Sequence, residues 1–451
     1  MNSKLLLVSA NRFNIPYPVY PLGISYLATH LKKTFPGLQL RFFDCFNRTN
    51  EDLISEITSF QPHYIGVSLR NIDNVNFYES ESFISTYRSL FEIIRRHSRA
   101  KLIAGGSAFS LFPKKLFQLL QPDFGIVGEG EQSFAKLIEC LNLGRDYTTI
   151  EGLVYANEYA VTINPRSNFL RCPDLEFESD WLSYYWQHSG MLNIQTKRGC
   201  PYHCIYCTYP LIEGSEVRTL DADKIVDTLQ WLTNEKNISY VFFTDSVFNI
   251  SNPFNTILAE KIIQSGIKIN WGAYFSPHLL DETLLSLFQR AGLTHVEFGT
   301  ESLSDKQLEN YGKHFTFDEV LEKSELCNRF RVFFCHSMIL GGYGETEETL
   351  AETFENSKKI KNTVFFPFIG MRIYPGTPLH RIALTEGTLD KNDSLLEPAY
   401  YISKNIDLTT LKEKAKNSGR NWIFPDEELS PILSRMRERN KKGPLWHHLR
   451  T

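Results

Sequence analysis

Cys200, Cys204 and Cys207 stand within eight residues, in the stretch TKRGCPYHCIYC, with the spacing Cys-x3-Cys-x2-Cys. A chain of this size that folds in a reducing compartment has no need of disulfides, so cysteines this close point to metal or redox chemistry. Structural zinc takes four ligands, usually from two separated pairs. Here no second pair stands nearby, and His203, wedged between two of the cysteines, is awkwardly placed to chelate the same ion. Three thiolates from one loop suit a cubane iron–sulfur cluster better, and its fourth iron then lacks a protein ligand. An open metal position is one where a small molecule can bind and react. The other five cysteines (Cys45, Cys140, Cys172, Cys327 and Cys335) are dispersed and read as small apolar residues.

The segments around that loop repeat a pattern. Short apolar, β-branched runs at 4–9, 38–43, 64–68, 101–104 and 124–127 alternate with helical patterns at 22–33, 50–60, 79–97, 113–120 and 131–141. Such alternation implies a parallel sheet covered on both faces, with ligands bound beyond the carboxyl ends of its strands. The loops at those ends are NRFNIPYPVYPLG, DCFNRTN, SLRNIDNVN, GGSAFSLFP and GEGEQS. A plain structural sheet would use turns of about two to six residues there; long loops rich in Gly, Asn and Pro predict a ligand. Residues 141–190 read as a connector containing a hairpin (153–156 and 160–164). A second βα series follows, with strands expected at 192–197, 240–244, 268–273, 295–299, 331–340 and 364–369. Asn252-Pro253 and the capping box Thr316-x-x-Glu319 mark helix starts within it. The cysteine loop follows the first strand of this series, at the end where α/β barrels assemble their chemistry. The C-terminal stretch RMRERNKKG is expected to be a solvated helix.

At 451 residues the chain has length for two to three domains. Apolar residues are 42% and charged residues 22%, an ordinary globular composition. Lys plus Arg number 48 against 52 for Asp plus Glu, a formal charge of −4, so no basic excess advertises nucleic acid or an anionic membrane. The apolar stretch after Lys4 is too short for a signal-peptide core, and no run approaches a membrane span. These observations predict a soluble, cytoplasmic protein. Proline-rich sequence after the first strand, in place of G-x-G-x-x-G, argues against a dinucleotide, and GEGEQS lacks the Lys-Ser/Thr ending of a P-loop.

The cysteine spacing, the aromatic Tyr206 just before the last cysteine and the strands downstream resemble the radical S-adenosylmethionine (SAM) superfamily over residues 192–382. The resemblance implies a [4Fe-4S] cluster on Cys200, Cys204 and Cys207. It implies SAM chelating the fourth iron through its amino and carboxylate groups, and reductive cleavage to a 5′-deoxyadenosyl radical. It also implies SAM contacts at Tyr206, at Asp245 in FFTDSVFN, at Glu301 and Ser302 in EFGTES, and at Gly341 and Gly342 in ILGGYGET. Asp245 departs from the family's commoner Gly-Gly-Glu form.

The first domain resembles the cobalamin-binding domain that precedes the radical SAM barrel in one large subclass. Asp44 opens DCFNRT, with Phe46 where the subclass's histidine would stand and Thr49 in place of a glycine. Ser68-Leu69-Arg70 matches the second mark, Gly105-Gly106-Ser107 the third, and Gly128-Glu129-Gly130 a further one. Together with Pro21 and Leu22 these are the expected cobalamin contacts. The absent histidine leaves two readings, a cobalamin-free scaffold or cobalt bound with no imidazole beneath it; the subclass commonly lacks this ligand, which favours the second, with Arg70 or Phe46 lying under the corrin. A protonated arginine cannot coordinate, and its charge discourages an axial water.

The expected architecture is therefore α/β. A Rossmann-like parallel-sheet cobalamin-binding domain (1–142) and a linker with a hairpin (143–190) precede a partial (β/α)6 radical SAM barrel (191–385) and a small α-rich C-terminal region (386–451). The expected activity is C-methylation of an unactivated carbon in a small-molecule, lipid or natural-product substrate, with electrons from a flavodoxin- or ferredoxin-type donor. Arg372 and Tyr374 read equally as contacts to an anionic or polar substrate group or as residues that close the open barrel edge; His336 reads equally as a cavity residue or a core histidine. Two alternatives stay open. The same cofactors could drive ring contraction, cyclisation or rearrangement without methyl transfer, or the chain could be a metal-stabilised binding protein without turnover.

Overall fold

The protein is described by a computed structural model covering residues 3–448, apart from Tyr159 and Glu428. Strand β1 (Lys4–Ser9) is apolar and buried along nearly its whole length, as a central parallel strand covered on both faces must be. It pairs in parallel with β2 (Gln39–Asp44) on one side and β3 (Tyr64–Ser68) on the other. Strands β4 (Lys101–Gly105) and β5 (Phe124–Ile126) extend the sheet in parallel. The hairpin β6 (Leu153–Ala156) and β7 (Val161–Ile163) then adds antiparallel to β5, giving the order β2-β1-β3-β4-β5-β6-β7. The hairpin expected within a connector thus covers a sheet edge that β5 would otherwise leave open. The helix expected from residue 79 starts only at Ile84. Before it, Asn74 and Asn76 side chains accept from the backbone N–H groups of Asn76, Tyr78 and Glu81, local bonds that compete with a helix.

The second sheet opens with β8 (Leu192–Ile194). The chain then leaves it: β9 (Lys197–Arg198) pairs antiparallel with β10 (Arg218–Thr219), and the cysteine loop lies between these two short strands. Strands β11 (Tyr240–Phe243), β12 (Asn270–Phe275), β13 (Leu293–Glu301), β14 (Phe333–Leu340) and β15 (Val364–Ile369) follow, each parallel to its neighbour. A two-residue antiparallel pair, β16 (Met371–Arg372) with β17 (Tyr400–Tyr401), precedes β18 (Asn421–Trp422), which adds parallel to β15. The expected six strands are present, and the C-terminal region supplies a seventh too short to carry a periodic signal. Among the described residues no helix is long and apolar enough to cross a membrane.

Alternation along these strands sorts two faces. Val241, Phe243, Ala273, Val296, Phe298 and Phe365 lie in the main core under the helices. His336 lies on that side too, stacked between Phe298 and Phe365 and bonded to Thr300 and Ser324. Burial pushes its pKa down to about 3. It is a satisfied core histidine. The same core reaches across to the first sheet through Leu5, Leu7, Tyr20, Trp181 and Tyr185, so the two sheets share one hydrophobic interior.

The break after β8 is held by a buried ion pair. Lys197 Nζ donates to Asp245 Oδ2 at 2.8 Å, and Asp245 also accepts from the Thr196 and Lys197 backbone N–H groups and the Thr196 hydroxyl. Asp245→Asn leaves the Lys197 ammonium buried without a counter-charge. It is expected to cost about 3–5 kcal/mol in urea unfolding, and joint replacement with Lys197→Met should recover most of that loss.

Candidate functional site

The carboxyl ends of β1, β3, β4 and β5 and the segment just after Cys207 wall one cavity of about 680 Å3, the size of a small-molecule or cofactor site. From the first sheet come Ser68, Arg70, Gly105, Gly106, Ser107, Gly128, Glu129 and Gly130, with Pro21 and Leu22 at the start of the helix Leu22–Thr34. From the second come Asn193, Gln195, Arg198, Thr208, Tyr209, Ile212, Glu213 and Thr244. Gly106 sits at φ +93°, and a Cβ there would meet the Leu69 carbonyl oxygen at 2.5 Å, so the turn at the end of β4 requires glycine.

Three of the expected cobalamin contacts stand off this wall. Asp44 is fully buried and accepts from the Tyr185 hydroxyl at 2.7 Å; burial raises its pKa, with the Tyr185 bond opposing. Phe46 packs against Tyr184 and Tyr185, and Leu69 is wholly enclosed. The aromatic helix Ser179–Ser189 covers the end of β2 and takes up the side chains that the resemblance aimed at the ligand. Arg70 is different. It lines the cavity, and among the described residues no carboxylate pairs with it; its electrostatic neighbours are the hydroxyls of Tyr209, Tyr185, Tyr274 and Tyr87, and burial draws its pKa down.

The GEGE turn is tied to the cysteine loop by charge. Glu129 meets Arg218 at 2.7 Å and both Arg166 and Arg198 at 3.5 Å, and Glu131 meets Arg198 at 2.9 Å. Burial works against the Arg198 charge, but Glu131 and Glu129 outweigh it and hold the guanidinium above its ordinary pKa. Glu129 therefore ties the end of the first sheet to the β9–β10 pair that flanks the cysteine loop, and it also lines the cavity.

The loop itself is shaped by its flanks. Gly199, at φ +85°, has no room for a Cβ, which would fall 2.0 Å from the Glu216 carbonyl oxygen; its N–H donates to Glu213 Oε2 at 3.1 Å. Ile205 N–H donates to the Tyr311 carbonyl at 3.2 Å. Among the described residues no three His, Cys, Asp or Glu side chains converge tightly enough to hold a lone metal ion. A cubane asks for something else, one iron per sulfur. The three thiols are close enough for their charges to interact: burial, with a contribution from neighbouring cysteines, raises Cys204 and brings Cys207 to about 12. Such thiols become thiolates only against a strong cation, and a metal cluster supplies it. The donor set fits a cluster.

Lys313 is the residue the sequence reading missed. Its ammonium donates to the Gly299 carbonyl at 3.0 Å and lies 3.3 Å from Glu301 Oε1, 5.7 Å from the centre of the Tyr206 ring. Burial opposes its charge, but Glu301, then Cys204 and Cys207, hold its pKa up. Nothing in the local sequence marks Lys313, because it reaches the loop from the turn after an unrelated helix. Glu301 is aimed at it by a register shift in β13 that leaves Glu301 at φ +70°.

The expected SAM contacts divide. Tyr206, Glu301 and Lys313 sit together beside the cysteines. Gly341 and Gly342 form a turn whose N–H groups are held by Glu345; burial raises that carboxyl to about 8. Asp245 is spent on Lys197 and Thr196 and does not line the shared cavity. Ser302 is turned the other way, bonded to Thr353 and to the Ser304 N–H. Both corrections share a cause: each of these short polar side chains finds partners brought from distant parts of the chain, which no motif reveals.

Arg372 also needs correcting as a substrate contact. Its Nε donates to Asp73 Oδ2 at 2.8 Å, and its other nitrogens donate to the carbonyls of Ile373, Leu395 and Ala399. It is a buried strut between the β16–β17 pair and the segment that follows β3. Tyr374 packs on the Arg372 guanidinium at 4.9 Å and does line the cavity.

Comparison with known proteins agrees with this geometry. Residues 194–356 match the model of the radical SAM superfamily, and residues 8–138 match the B12 binding domain. A solved structure of the radical SAM methyltransferase TsrM from Kitasatospora setae, with cobalamin and a [4Fe-4S] cluster bound, superposes with a TM-score of 0.87 over 99% of this chain and 97% of that one, at 21% identity. The chain belongs to the cobalamin-dependent radical SAM family. This enzyme is also 24% identical to an uncharacterised methyltransferase of Pyrococcus horikoshii, over 82% of its own length and 79% of the relative's. The tryptophan 2-C-methyltransferase of Streptomyces laurentii is 23% identical, over 79% and 71% respectively. An anaerobic magnesium-protoporphyrin IX monomethyl ester cyclase of Rubrivivax gelatinosus is 25% identical over 75% of this chain and 62% of that protein.

The contrast between the two arginines is measurable in the enzyme's stability. Arg372→Ala strands Asp73 as an unpaired buried carboxylate and is expected to cost about 3–5 kcal/mol in urea unfolding of the cofactor-free protein. Arg70→Ala removes a cation with no ion-pair partner among the described residues and should change stability by less than about 1 kcal/mol.

Proposed function

We propose that the enzyme is a cobalamin-dependent radical SAM C-methyltransferase acting on an unactivated carbon of a small molecule. The observation that carries this reading is the shared cavity: the strand ends of the B12-binding sheet and the residues following Cys207 line the same space. When bound, the corrin supplies a transferable methyl group and the cluster supplies the electron that cleaves SAM.

The chain's own residues do the placing. Cys200, Cys204 and Cys207 are the cluster ligands. Tyr206, Glu301, Lys313, Gly341 and Gly342 hold SAM. In this group Lys313 neutralises Glu301 and lowers the negative potential of a thiolate cluster, so an anionic carboxylate can approach. Pro21, Leu22, Ser68, Arg70, Gly105, Gly106, Ser107, Gly128 and Gly130 form the corrin cradle. Arg70, which lines the cavity without a carboxylate partner among the described residues, would offer a bound corrin a positive charge that cannot coordinate a metal. Tyr209 and Tyr374 lie at the cavity wall between the two cofactor regions and exclude water from the reacting carbon. Residues 1–142 are read as the cobalamin domain, 143–190 as the linker, 191–385 as the radical SAM barrel and 386–451 as the region that closes it. An external flavodoxin- or ferredoxin-type protein supplies electrons, and the chain works in the cytoplasm.

The match to a cyclase of the same family supports a second reading, in which the substrate is rearranged with no methyl added. SAM labelled in its methyl group separates the two. Incubation of the reconstituted enzyme with substrate and reductant is expected to place label in the product. Substrate consumption with no label incorporated contradicts methyl transfer and favours the rearrangement.

A further inference from the structure

The concave face of the second sheet carries a carboxyl group that none of the machinery above uses. By strand alternation Phe242, Tyr274, Glu297, Cys335 and Phe366 face this side, and the register sets Tyr274 and Cys335 on either side of Glu297. Tyr274 is 39% accessible although its strand lies in the middle of the sheet, so the face is open rather than packed. The Tyr274 hydroxyl feels the charges of Glu297 and Tyr209, and Tyr209 lines the shared cavity. This face therefore lies within electrostatic reach of the wall of the shared cavity.

Glu297 Oε1 accepts the Trp446 indole N–H at 3.0 Å. Among the described residues its only neighbour within ion-pair reach is His295, with Nε2 at 3.7 Å. That imidazole is fully buried, its Nδ1 is 2.7 Å from the Tyr240 hydroxyl, and its Nε2 has no hydrogen-bond partner. Burial, and then His447, push its pKa far down, so it brings no positive charge. A carboxylate enclosed without a cation is costly, and burial lifts Glu297 to about 7. A carboxyl group short of counter-charge, set among aromatic faces and open on one side, selects a protonated amine through a charge-assisted hydrogen bond and cation–π contacts.

We propose that Glu297 binds a basic nitrogen of the substrate, so that this enzyme acts on small molecules carrying a protonated amine beside an apolar body. The inference rests on the methyltransfer reading only for which molecule is the substrate, and it is tested by binding rather than turnover. Phenethylamine, phenethyl alcohol and hydrocinnamate share one apolar body and differ in charge. Titrated calorimetrically at neutral pH into enzyme loaded with cobalamin and cluster, the amine should bind about tenfold more tightly than the other two, as a charge-assisted bond requires. Glu297→Gln should erase that preference while leaving the affinity of the alcohol unchanged. Retention of the cobalamin and cluster absorption bands by the variant shows that its cofactor sites are intact. Equal binding of the three probes to the unaltered enzyme, no binding of the amine, or an amine preference that survives Glu297→Gln overturns the proposal. An unlabelled product together with an intact amine preference would remove methyl transfer and leave the substrate class standing.

Discussion

The arginine–glutamate cluster behind the GEGE turn is the constraint on which the rest of this structure depends. Arg198 lies two residues before the first cluster cysteine, and Arg218 sits on the strand that pairs with it. Arg198 reaches back to Glu131 at 2.9 Å and to Glu129 at 3.5 Å, and Arg218 reaches Glu129 at 2.7 Å, just beyond the end of the first sheet. Buried ion pairs of this kind repay their desolvation only when geometry is good and partners are complete. What they provide is registration. They hold the loop that carries the cysteines against the sheet that cradles the corrin, so that one cavity has both as walls.

The charged residues of the interior then fall into two groups with different meanings. Lys197 with Asp245, Arg372 with Asp73, and the Glu129 cluster are paired inside the fold. They fix chain breaks and the junction between sheets. Among the described residues Arg70 and Glu297 have no ion-pair partner of comparable strength; Arg70 lines the shared cavity, and Glu297 stands beside the exposed Tyr274 on the other sheet. A fold keeps an unpaired charge next to a cavity at a cost in stability, and the compensation comes from what binds there.

Most of the architecture was legible in the sequence because it is periodic. Parallel strands covered on both faces read as continuous apolar runs, and β1, β3 and β15 stand where such runs predict them. The cysteine spacing and the glycine-rich strand ends were legible for the same reason: they are local. What escaped was the partner of each polar side chain. Asp245, Ser302, Asp44 and Arg372 have the residue types expected of a site, yet each is satisfied by groups far away in the chain, as Arg372 is by Asp73. Lys313 and Glu297 escaped from the opposite side. Their importance comes from neighbours brought by separate strands and turns, and no spacing rule records it.

The central claim is that the cobalamin and the cluster share one space. Electron paramagnetic resonance of the anaerobic enzyme, with cobalt as Co(II) and the cluster reduced, reads this directly. Two paramagnets in the same cavity should show mutual spin coupling, with both signals broadened or split relative to samples holding only one of them. Two unperturbed signals, each identical to that of its singly loaded sample, would contradict the account.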